Sequence, residues 1–334
     1  MGIGGSYGAF RLLPRKAPKL QSEIALQEPR FTSAQPGRAR MDNGEGRCEF
    51  SVVTNDILDR LRERLRSYGS CLVAYSGGVD SALLARVAAE ELGDRTLAVI
   101  ADSPSLPRRE LEEAIALAER FGIPLRVVET AEFSNPEYLA NPINRCYFCK
   151  HELFAHLAPL ARAEGYRVIA YGENASDVGD HRPGAQAAAE FEVRAPLKEL
   201  GLTKAEVREL SARLGLPTAD KPQMACLSSR IPYGEAVDPR KLAMIEQSEN
   251  FLRDQGFFDV RVRHHELALG HLARIEVGPR ELVRFLGNGT ANRTAEALKA
   301  FGYLHVTVDL QGYRRGSTQE GLSAAVTPQS EVGA

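Results

Sequence analysis

The stretch from Leu72 to Ala85 constrains the fold of this chain more than any other segment. A short apolar run, Leu-Val-Ala-Tyr, gives way to Ser-Gly-Gly-Val-Asp-Ser at 76–81, and a segment rich in Ala and Leu follows. The pattern predicts a strand, a glycine loop and a helix, so backbone N–H groups and a helix N-terminus converge at one point. Such a point binds phosphate.

The spacing of this loop excludes two common phosphate sites. It lacks the Gly-Lys-Ser/Thr ending of a P-loop NTPase and the third glycine of a dinucleotide-binding turn. A plain strand-to-helix turn, in which Asp80 is only an N-cap, is the structural alternative. The six residues resemble the SGGxDS loop of the N-type ATP pyrophosphatases, which cleave ATP between its α- and β-phosphates.

The resemblance implies that the loop holds the β- and γ-phosphates of ATP through backbone amides and two hydroxyls. The residues expected to do so are Ser76, Gly77, Gly78, Val79, Asp80 and Ser81. An anionic Asp80 beside phosphates repels them unless a cation bridges the two groups. The sequence therefore predicts a Mg²⁺ ion that bridges the Asp80 carboxylate and the phosphates of ATP.

Strand and helix patterns alternate regularly from residue 53 to residue 214. Continuous apolar strands such as 97–100 predict a parallel, doubly wound α/β sheet that is covered on both faces. Ligands of such sheets lie at the carboxyl ends of the strands. Asp102, Gly172 and Asn174 follow strand ends, so we expect them to line the ATP site.

The pattern changes after Pro239 to a smaller α+β unit, preceded by an irregular stretch at 216–238 of the kind that is functional or disordered. We expect a disordered N-terminal extension, an ATP pyrophosphatase domain, a small α+β domain for substrate binding or oligomerisation, and a flexible tail. Their predicted bounds are 1–45, 46–235, 236–316 and 317–334.

Composition narrows the class of protein. The chain of 334 residues is 43% hydrophobic and 26% charged and has no apolar run long enough to span a membrane, which predicts a cytoplasmic protein with no membrane partner. The net charge is −2, from 42 basic and 44 acidic residues. A net charge so close to zero does not attract a polyanion such as tRNA to the protein, so we expect no nucleic-acid partner.

Three of the five cysteines form a pattern. Cys146 and Cys149 are a Cys-x₂-Cys pair at the start of a predicted helix, and Cys226 lies in the irregular stretch. A disulfide framework is not expected from an odd number of cysteines without a secretory segment. The helix N-terminus and neighbouring basic residues are expected to lower the thiol pKa values. These basic residues are Arg145, Lys150 and Arg230.

Several chemistries suit three thiolates. They fit a sulfur-handling site or a 4Fe-4S cluster with one open iron. A zinc site needs a fourth ligand, such as His151 or His181, and three unrelated free cysteines are the plainest alternative. Adenylation turns a carboxyl oxygen into a leaving group that sulfur displaces, so an ATP loop with clustered cysteines favours thiolation.

Residues 72–317 resemble the LarE family, ATP-dependent sulfur transferases that make the organic ligand of the nickel-pincer nucleotide cofactor of lactate racemase. The segments that carry the resemblance are 141–150, 179–184, 194–197, 226–234 and 312–314. It implies that the two carboxylates of pyridinium-3,5-biscarboxylic acid mononucleotide are adenylated and converted to thiocarboxylates, with release of AMP.

The resemblance also implies the source of the sulfur. In one branch of the family, the cysteine matching Cys226 gives up its own sulfur and becomes dehydroalanine. In the other, three cysteines hold a 4Fe-4S cluster that carries an extra sulfide. Because Cys146, Cys149 and Cys226 are all present, we expect the cluster route, resupplied by sulfide or a donor protein, and a homohexamer.

Arg261 and Arg263 alternate along one predicted strand, so both point to the same face and can clamp a phosphate, although a solvated face is the alternative. The substrate-binding residues that the resemblance implies are Arg230, Arg261, Arg263, Glu249 and Glu276. The chain departs from the family pattern at 264–271, which is longer and carries His271 where Asp is frequent.

Two other functions fit part of the sequence. A tRNA thiolase uses the same loop and three cysteines, but it predicts a basic surface or an RNA-binding domain. A metal-stabilised binding module with a vestigial ATP loop is the second alternative, and the intact loop at 76–81 argues against it.

Overall fold

Four parallel strands form the first sheet, in the order β3-β2-β1-β4. Their bounds are Cys71–Ala74 for β1, Thr96–Asp102 for β2, Leu125–Glu129 for β3 and Val168–Tyr171 for β4. The computed structural model describes residues 46–177, 183–223 and 225–314, with side chains from Asp56 onward. The predictions for 1–45 and 317–334, and most of the segment 179–184, lie outside the described residues.

Helices cover both faces of this sheet, as the apolar strands predict. Their bounds are Gly46–Tyr68 for α1, Val79–Leu92 for α2, Arg108–Arg120 for α3, Pro136–Leu139 for α4, Arg145–Glu164 for α5, Pro183–Glu190 for α6, Pro196–Glu199 for α7 and Lys204–Arg213 for α8. Val73 packs in a core with Leu83, whereas Leu72 packs on the opposite face with Phe154. Successive side chains of a strand point to opposite faces of the sheet, so β1 is buried on both faces. The parallel α/β fold is confirmed.

A second sheet follows near the C-terminus, in the order β5-β6-β7. β5 (Val260–Leu267) and β6 (Gly270–Val277) are antiparallel, and β7 (His305–Val308) is parallel to β6. The helices of this region are α9 (Pro239–Asp254), α10 (Leu282–Leu286) and α11 (Thr290–Ala300). The long stretch 264–271 is the hairpin between β5 and β6, where His264 Nε2 and His271 Nδ1 lie 3.1 Å apart.

A small core joins the irregular stretch to both regions. Tyr138 of α4, Leu227 and Ile231 of the irregular stretch, and Leu242 and Ile245 of α9 pack together with exposed fractions of at most 2%. The stretch itself contains two 3₁₀ turns, Pro217–Asp220 and Leu227–Arg230. It is therefore fixed by apolar burial against α4 and α9, which orders a segment with little regular hydrogen bonding of its own.

Within the part of the chain that the structure describes, we find no helix that is both long and apolar enough to cross a membrane.

Gly77 allows α3 to lie against the phosphate loop. Its φ is +70°, and a Cβ placed there would lie 2.6 Å from the Cβ of Ala114. Both the left-handed backbone and the close approach require glycine. Gly93 also has a positive φ, +55°, but a Cβ there meets nothing within 4 Å.

This pair of glycines separates strain from steric clash. We expect Gly77→Ala to cost about 2–4 kcal/mol of unfolding free energy, from backbone strain plus overpacking. Gly93→Ala should cost only backbone strain, about 1–3 kcal/mol, since its φ of +55° and ψ of −126° lie in a region that glycine favours. Urea denaturation measures both, and adding Ala114→Gly should recover part of the loss in the first variant. A double variant that is no more stable than Gly77→Ala would contradict the steric argument.

Candidate active site

The phosphate loop closes on its own hydroxyl groups. The Ser76 N–H donates to Ser81 Oγ at 3.1 Å, the two hydroxyls lie 3.1 Å apart, and the Ser81 hydroxyl donates to the Gly78 carbonyl at 3.1 Å. The N-cap of α2 is Gly78, with no side-chain cap. The alternative in which Asp80 is the N-cap is therefore wrong, and no side chain caps the N-terminus of this helix of 14 residues.

The end of β4 lies directly against this loop. A Cβ on Gly172 would come within 2.7 Å of the Ser81 nitrogen, so only glycine permits the contact. Two residues on, Asn174 Nδ2 donates to an Asp80 carboxylate oxygen at 3.0 Å. The other oxygen accepts from Lys204 Nζ at 2.5 Å. The structure thus brings Gly172 and Asn174 to the loop, as the strand ends predict.

Sequence reasoning missed Lys204 as part of this site. The segment 203–206 has the Thr-x-x-Glu pattern of a capping box, and in the structure the Thr203 and Glu206 side chains form one at the start of α8. No local signal relates residue 204 to residue 80, because the ion pair depends on how α8 packs beside α2.

Asp102 ends β2, and its side chain turns to α3. Its carboxylate accepts from Arg108 Nη1 at 2.5 Å, at the start of α3. The Arg108 N–H in turn donates to Glu246 of α9 at 2.5 Å. Asp102 therefore helps to fix α3 beside α9, and its contact with ATP stays a prediction.

The three cysteines lie around one buried guanidinium. Cys146 and Cys149 are in the first two turns of α5, at the helix start that the sequence predicts, and Cys226 precedes the second 3₁₀ turn. Arg145 Nη2 lies 3.8 Å from the Cys226 sulfur, and its Nη1 donates to the Ser228 carbonyl at 2.9 Å. Cys146 is exposed, and the other two are partly buried.

The thiol pKa values move in the direction opposite to the prediction. Burial raises the pKa of Cys149 well above its usual range, and the charges of Glu132 and the other two cysteines raise it further. Desolvation followed by the charge of Cys226 raises the pKa of Cys146, although its side chain reaches solvent and Arg145 opposes the shift. Desolvation outweighs the nearby positive charge, so the predicted lowering is wrong for these two residues.

The described residues include no group of three or more His, Cys, Asp or Glu side chains positioned to hold a metal ion. The ring of His151, considered as a fourth zinc ligand, packs against Tyr147 and Phe191. His181 lies outside the described residues. Arg145 directly precedes Cys146 in α5 and its side chain reaches the Cys226 sulfur, which brings the Cys-x₂-Cys pair and Cys226 into one region of the molecule.

A set of buried hydroxyls ties the Cys226 loop to the end of β2. The Leu227 N–H donates to the Ser105 carbonyl at 2.9 Å. Ser228 Oγ lies 2.8 Å from Ser105 Oγ and 2.9 Å from the Tyr138 hydroxyl. Ser105 is three residues beyond the end of β2, at the same edge of the sheet as the phosphate loop. These hydroxyls carry no sequence signal, since they are far apart in the chain.

Arg230 and Glu249 form a buried ion pair beneath the cysteine loop. Arg230 donates to both oxygens of Glu249, at 2.9 and 3.1 Å, and to the carbonyl of Cys226 at 3.1 Å. Glu249 also accepts from Arg253 and from the Val262 N–H. Burial acts to raise the pKa of Glu249, but the arginines outweigh it, so the pKa lies below its usual value.

Arg261 and Arg263 lie on the same face of β5, as their spacing predicts, and both reach the irregular stretch. Arg261 Nη2 donates to the Gln223 carbonyl at 3.3 Å, and Arg263 Nη1 donates to the Ser229 carbonyl at 3.1 Å. Arg263 also pairs with Glu276 at 2.9 Å. Both arginines are buried, so the alternative of a solvated strand face is wrong.

The sheet and its glycine loop define the PP-loop class of ATP-using enzymes. A family model described as NAD synthase matches residues 53–137, from α1 through the loop to α4. An uncharacterised protein of Synechocystis sp. is 46% identical over 80% of this chain and 98% of its own length. An uncharacterised protein of Methanocaldococcus jannaschii is 28% identical over 77% of this chain and 96% of its own length.

A pyridinium-3,5-bisthiocarboxylic acid mononucleotide synthase of Lactiplantibacillus plantarum is 33% identical over 76% of this chain and 90% of its own length. The chain belongs to this synthase family.

Removing Arg230 tests the buried ion pair. We expect Arg230→Met to lower the unfolding free energy by about 3–5 kcal/mol at pH 7.5, because Glu249 stays buried with less compensating charge. Burial then raises the Glu249 pKa, so protonation relieves the loss as the pH falls towards 5. In the parent protein the pKa is lowered, and the stabilisation is lost only as the pH falls below the usual value of 4.5.

Chemical denaturation at the two pH values measures this difference. The matched control is Arg126→Met, which removes an exposed ion pair with Glu164 and should cost less than about 1 kcal/mol at either pH. A loss in Arg230→Met that does not change with pH would contradict the assignment to Glu249.

Proposed function

We propose that the chain is an ATP-dependent sulfurtransferase that converts the carboxylates of pyridinium-3,5-biscarboxylic acid mononucleotide to thiocarboxylates, as the name of the Lactiplantibacillus plantarum relative suggests. The product is the nickel-pincer nucleotide ligand. The observation that supports this most is the hydrogen bond from the Leu227 N–H to the Ser105 carbonyl. It holds the cysteine loop at the sheet edge that carries the phosphate loop.

The proposed reaction has two steps. A substrate carboxylate oxygen attacks the α-phosphorus of ATP, pyrophosphate leaves, and an acyl adenylate forms. A sulfur nucleophile then adds to the acyl carbon, and AMP leaves with the original oxygen. The loop residues Ser76 to Ser81 hold the leaving pyrophosphate, with Mg²⁺ beside Asp80, while Asp102, Gly172 and Asn174 line the nucleotide site.

Three thiolates are the ligands of a 4Fe-4S cluster with one open iron, and Cys146, Cys149 and Cys226 would hold it. The structure does not position these three side chains as a metal-binding group, so binding of the cluster would have to draw them together. A bound metal deprotonates coordinating thiols, so the raised pKa values of Cys146 and Cys149 do not oppose ligation. When bound, the cluster would supply the sulfide that replaces the carboxylate oxygen. Sulfide or a donor protein is expected to replenish it, and a homohexamer is the proposed assembly.

The alternative source of sulfur is Cys226 itself. Its thiolate, 3.8 Å from the Arg145 guanidinium, would attack the acyl adenylate to form a thioester and release AMP. Loss of the Cys226 α-proton would then break the Cβ–S bond, leaving dehydroalanine in the chain and the sulfur on the substrate. This route consumes the protein after one transfer.

Arg261 and Arg263 are the proposed ligands of the substrate phosphate, with Arg230, Glu249 and Glu276 around them. Burial, followed by the positive charge of Arg230, lowers the pKa of Arg261. An environment that disfavours a further positive charge favours an incoming anion. The acids fix the guanidinium groups in place, which reduces the entropy lost on binding.

Cysteine variants test the role of the three thiols. With ATP and the dicarboxylate nucleotide, Cys226→Ala should still release pyrophosphate in a first turnover, but sulfur transfer should fall to background because the sulfur site is incomplete. Cys71→Ala is the matched control, since Cys71 is buried in β1 within the apolar core. Mass spectrometry of the nucleotide product is the measurement. Undiminished sulfur transfer by Cys226→Ala would contradict the proposal.

Anaerobic purification separates the two sulfur sources. We expect the parent protein to contain iron and acid-labile sulfide, and the Cys146→Ala/Cys149→Ala variant to lose both. Metal analysis and the visible spectrum measure the cluster, and the intact mass is recorded after turnover. A colourless parent protein that loses the mass of H₂S would rule out the cluster and establish consumption of Cys226.

A further inference from the structure

The side chain of Asn141 is buried between α4 and α5 and forms hydrogen bonds through both ends of its amide. The residue is 0% exposed and has a φ of +53°, in the left-handed region that asparagine tolerates better than most residues. Its Oδ1 accepts from Arg145 Nη1 at 2.5 Å. Its Nδ2 faces three backbone carbonyls of the irregular stretch, at 3.3, 2.7 and 3.0 Å, those of Ile231, Pro232 and Glu235.

These contacts fix the direction in which the amide of Asn141 points. The reverse orientation would place the amide oxygen against three carbonyl oxygens and the NH₂ group against a guanidinium, which has only donors. The backbone adds another link, because the Gly234 N–H donates to the Asn141 carbonyl at 3.0 Å. Asn141 therefore connects the start of α5 to the last part of the irregular stretch.

Arg145 carries a charge that its oxygen partners do not neutralise. The residue is 3% exposed, and its Nη1 donates to the Asn141 amide and to the Ser228 carbonyl. Both acceptors are neutral, so they orient the guanidinium without supplying a counter-charge. Burying a cation is costly unless an anion pairs with it. Because Arg145 Nη2 lies 3.8 Å from the Cys226 sulfur, a thiolate at Cys226 would be that anion.

Arg230 also reaches the loop around Cys226, but its charge is already paired. Its guanidinium donates to the Cys226 carbonyl and forms an ion pair with Glu249 at 2.9 Å. The two arginines therefore differ in what they offer. Arg230 binds the backbone of the loop, whereas the charge of Arg145 is directed at the sulfur.

We propose that Asn141 is a positioning residue for sulfur transfer, whose amide holds the Arg145 guanidinium against the Cys226 sulfur. Arg145 then compensates the negative charge of that sulfur, and the bonds from Asn141 Nδ2 keep residues 231–235 fixed to the start of α5. The inference rests on the role of Cys226 in the proposed function. It applies to either source of sulfur, since Cys226 acts as a thiolate in both routes.

Alkylation of Cys226 measures the charge beside its sulfur. Iodoacetate and iodoacetamide react with the same thiolate, but only iodoacetate is an anion, so the ratio of their rates reports nearby positive charge and not the thiolate fraction. Mass spectrometry of the peptide that contains Cys226 gives both rates on the full chain, with a chelator present to keep metal off the thiols. The ratio for the folded parent should exceed the ratio in urea by about threefold or more, and Arg145→Met should lose this preference.

The variant Asn141→Gly removes the amide but keeps a residue that accepts the left-handed backbone. It should lose at least half of the preference for iodoacetate, and the kcat of sulfur transfer should fall about tenfold or more, with KM for ATP unchanged. Asn288→Gly is the matched control, because Asn288 has the same φ of +53° in an exposed position before α11. It should match the parent in every measurement. Melting temperatures show whether each variant is folded, and if Arg145→Met is not, Asn141→Gly still decides.

Three outcomes would overturn the inference. The first is a parent protein with the same ratio when folded and in urea, which would mean that Arg145 places no effective charge at the sulfur. The second is Asn141→Gly that keeps both the ratio and the kcat of the parent. The third is Asn141→Gly that loses kcat but keeps the ratio, because Asn141 would then act through the loop and not through Arg145. A parent that prefers iodoacetate but transfers no sulfur would count against the proposed function instead.

Discussion

The paired charges of Arg230 and Glu249 determine where the cysteine loop can lie. Burying two ions is costly, and the cost is offset only when every oxygen and N–H finds a partner. Glu249 meets that condition with two arginines and the Val262 N–H, and Arg230 meets it with Glu249 and carbonyls of the loop. The loop around Cys226 is therefore bound to α9 and β5 through a polar network that tolerates little displacement.

Positive charge is concentrated on this side of the molecule. Guanidinium groups from α5, the irregular stretch and β5 all point at the backbone of residues 223–230. They belong to Arg145, Arg230, Arg261 and Arg263. The buried carboxylates of Glu249 and Glu276 pair with guanidinium groups of this set. An anionic substrate, or thiolates gathered on a metal, would complete the balance of charge, which links the ionic network to the proposed chemistry.

Much of the fold was predictable because its signals are local. The strand, glycine loop and helix around Ser76 are neighbours in the chain, and apolar runs such as Leu97–Ile100 identify a strand that is buried on both faces.

The candidate site was predictable only in part. Lys204, Ser105 and Tyr138 act through contacts between residues that are far apart in the chain. Lys204 is 124 residues from Asp80, and Ser105 is 123 residues from Ser228. The direction of the pKa shifts of Cys146 and Cys149 was predicted wrongly because burial, a property of the packed structure, outweighs the charges that the sequence reveals.

The hydroxyls of Ser105, Tyr138 and Ser228 have a mechanical consequence. They are almost fully buried and bonded to one another, and the Leu227 N–H adds a backbone link to the same residue, Ser105. A movement at the carboxyl end of β2 cannot be absorbed between the two loops without breaking one of these bonds. We therefore expect the sheet edge at the phosphate loop and the loop that carries Cys226 to move together, which would keep the proposed sites of carboxylate activation and sulfur transfer at a fixed separation.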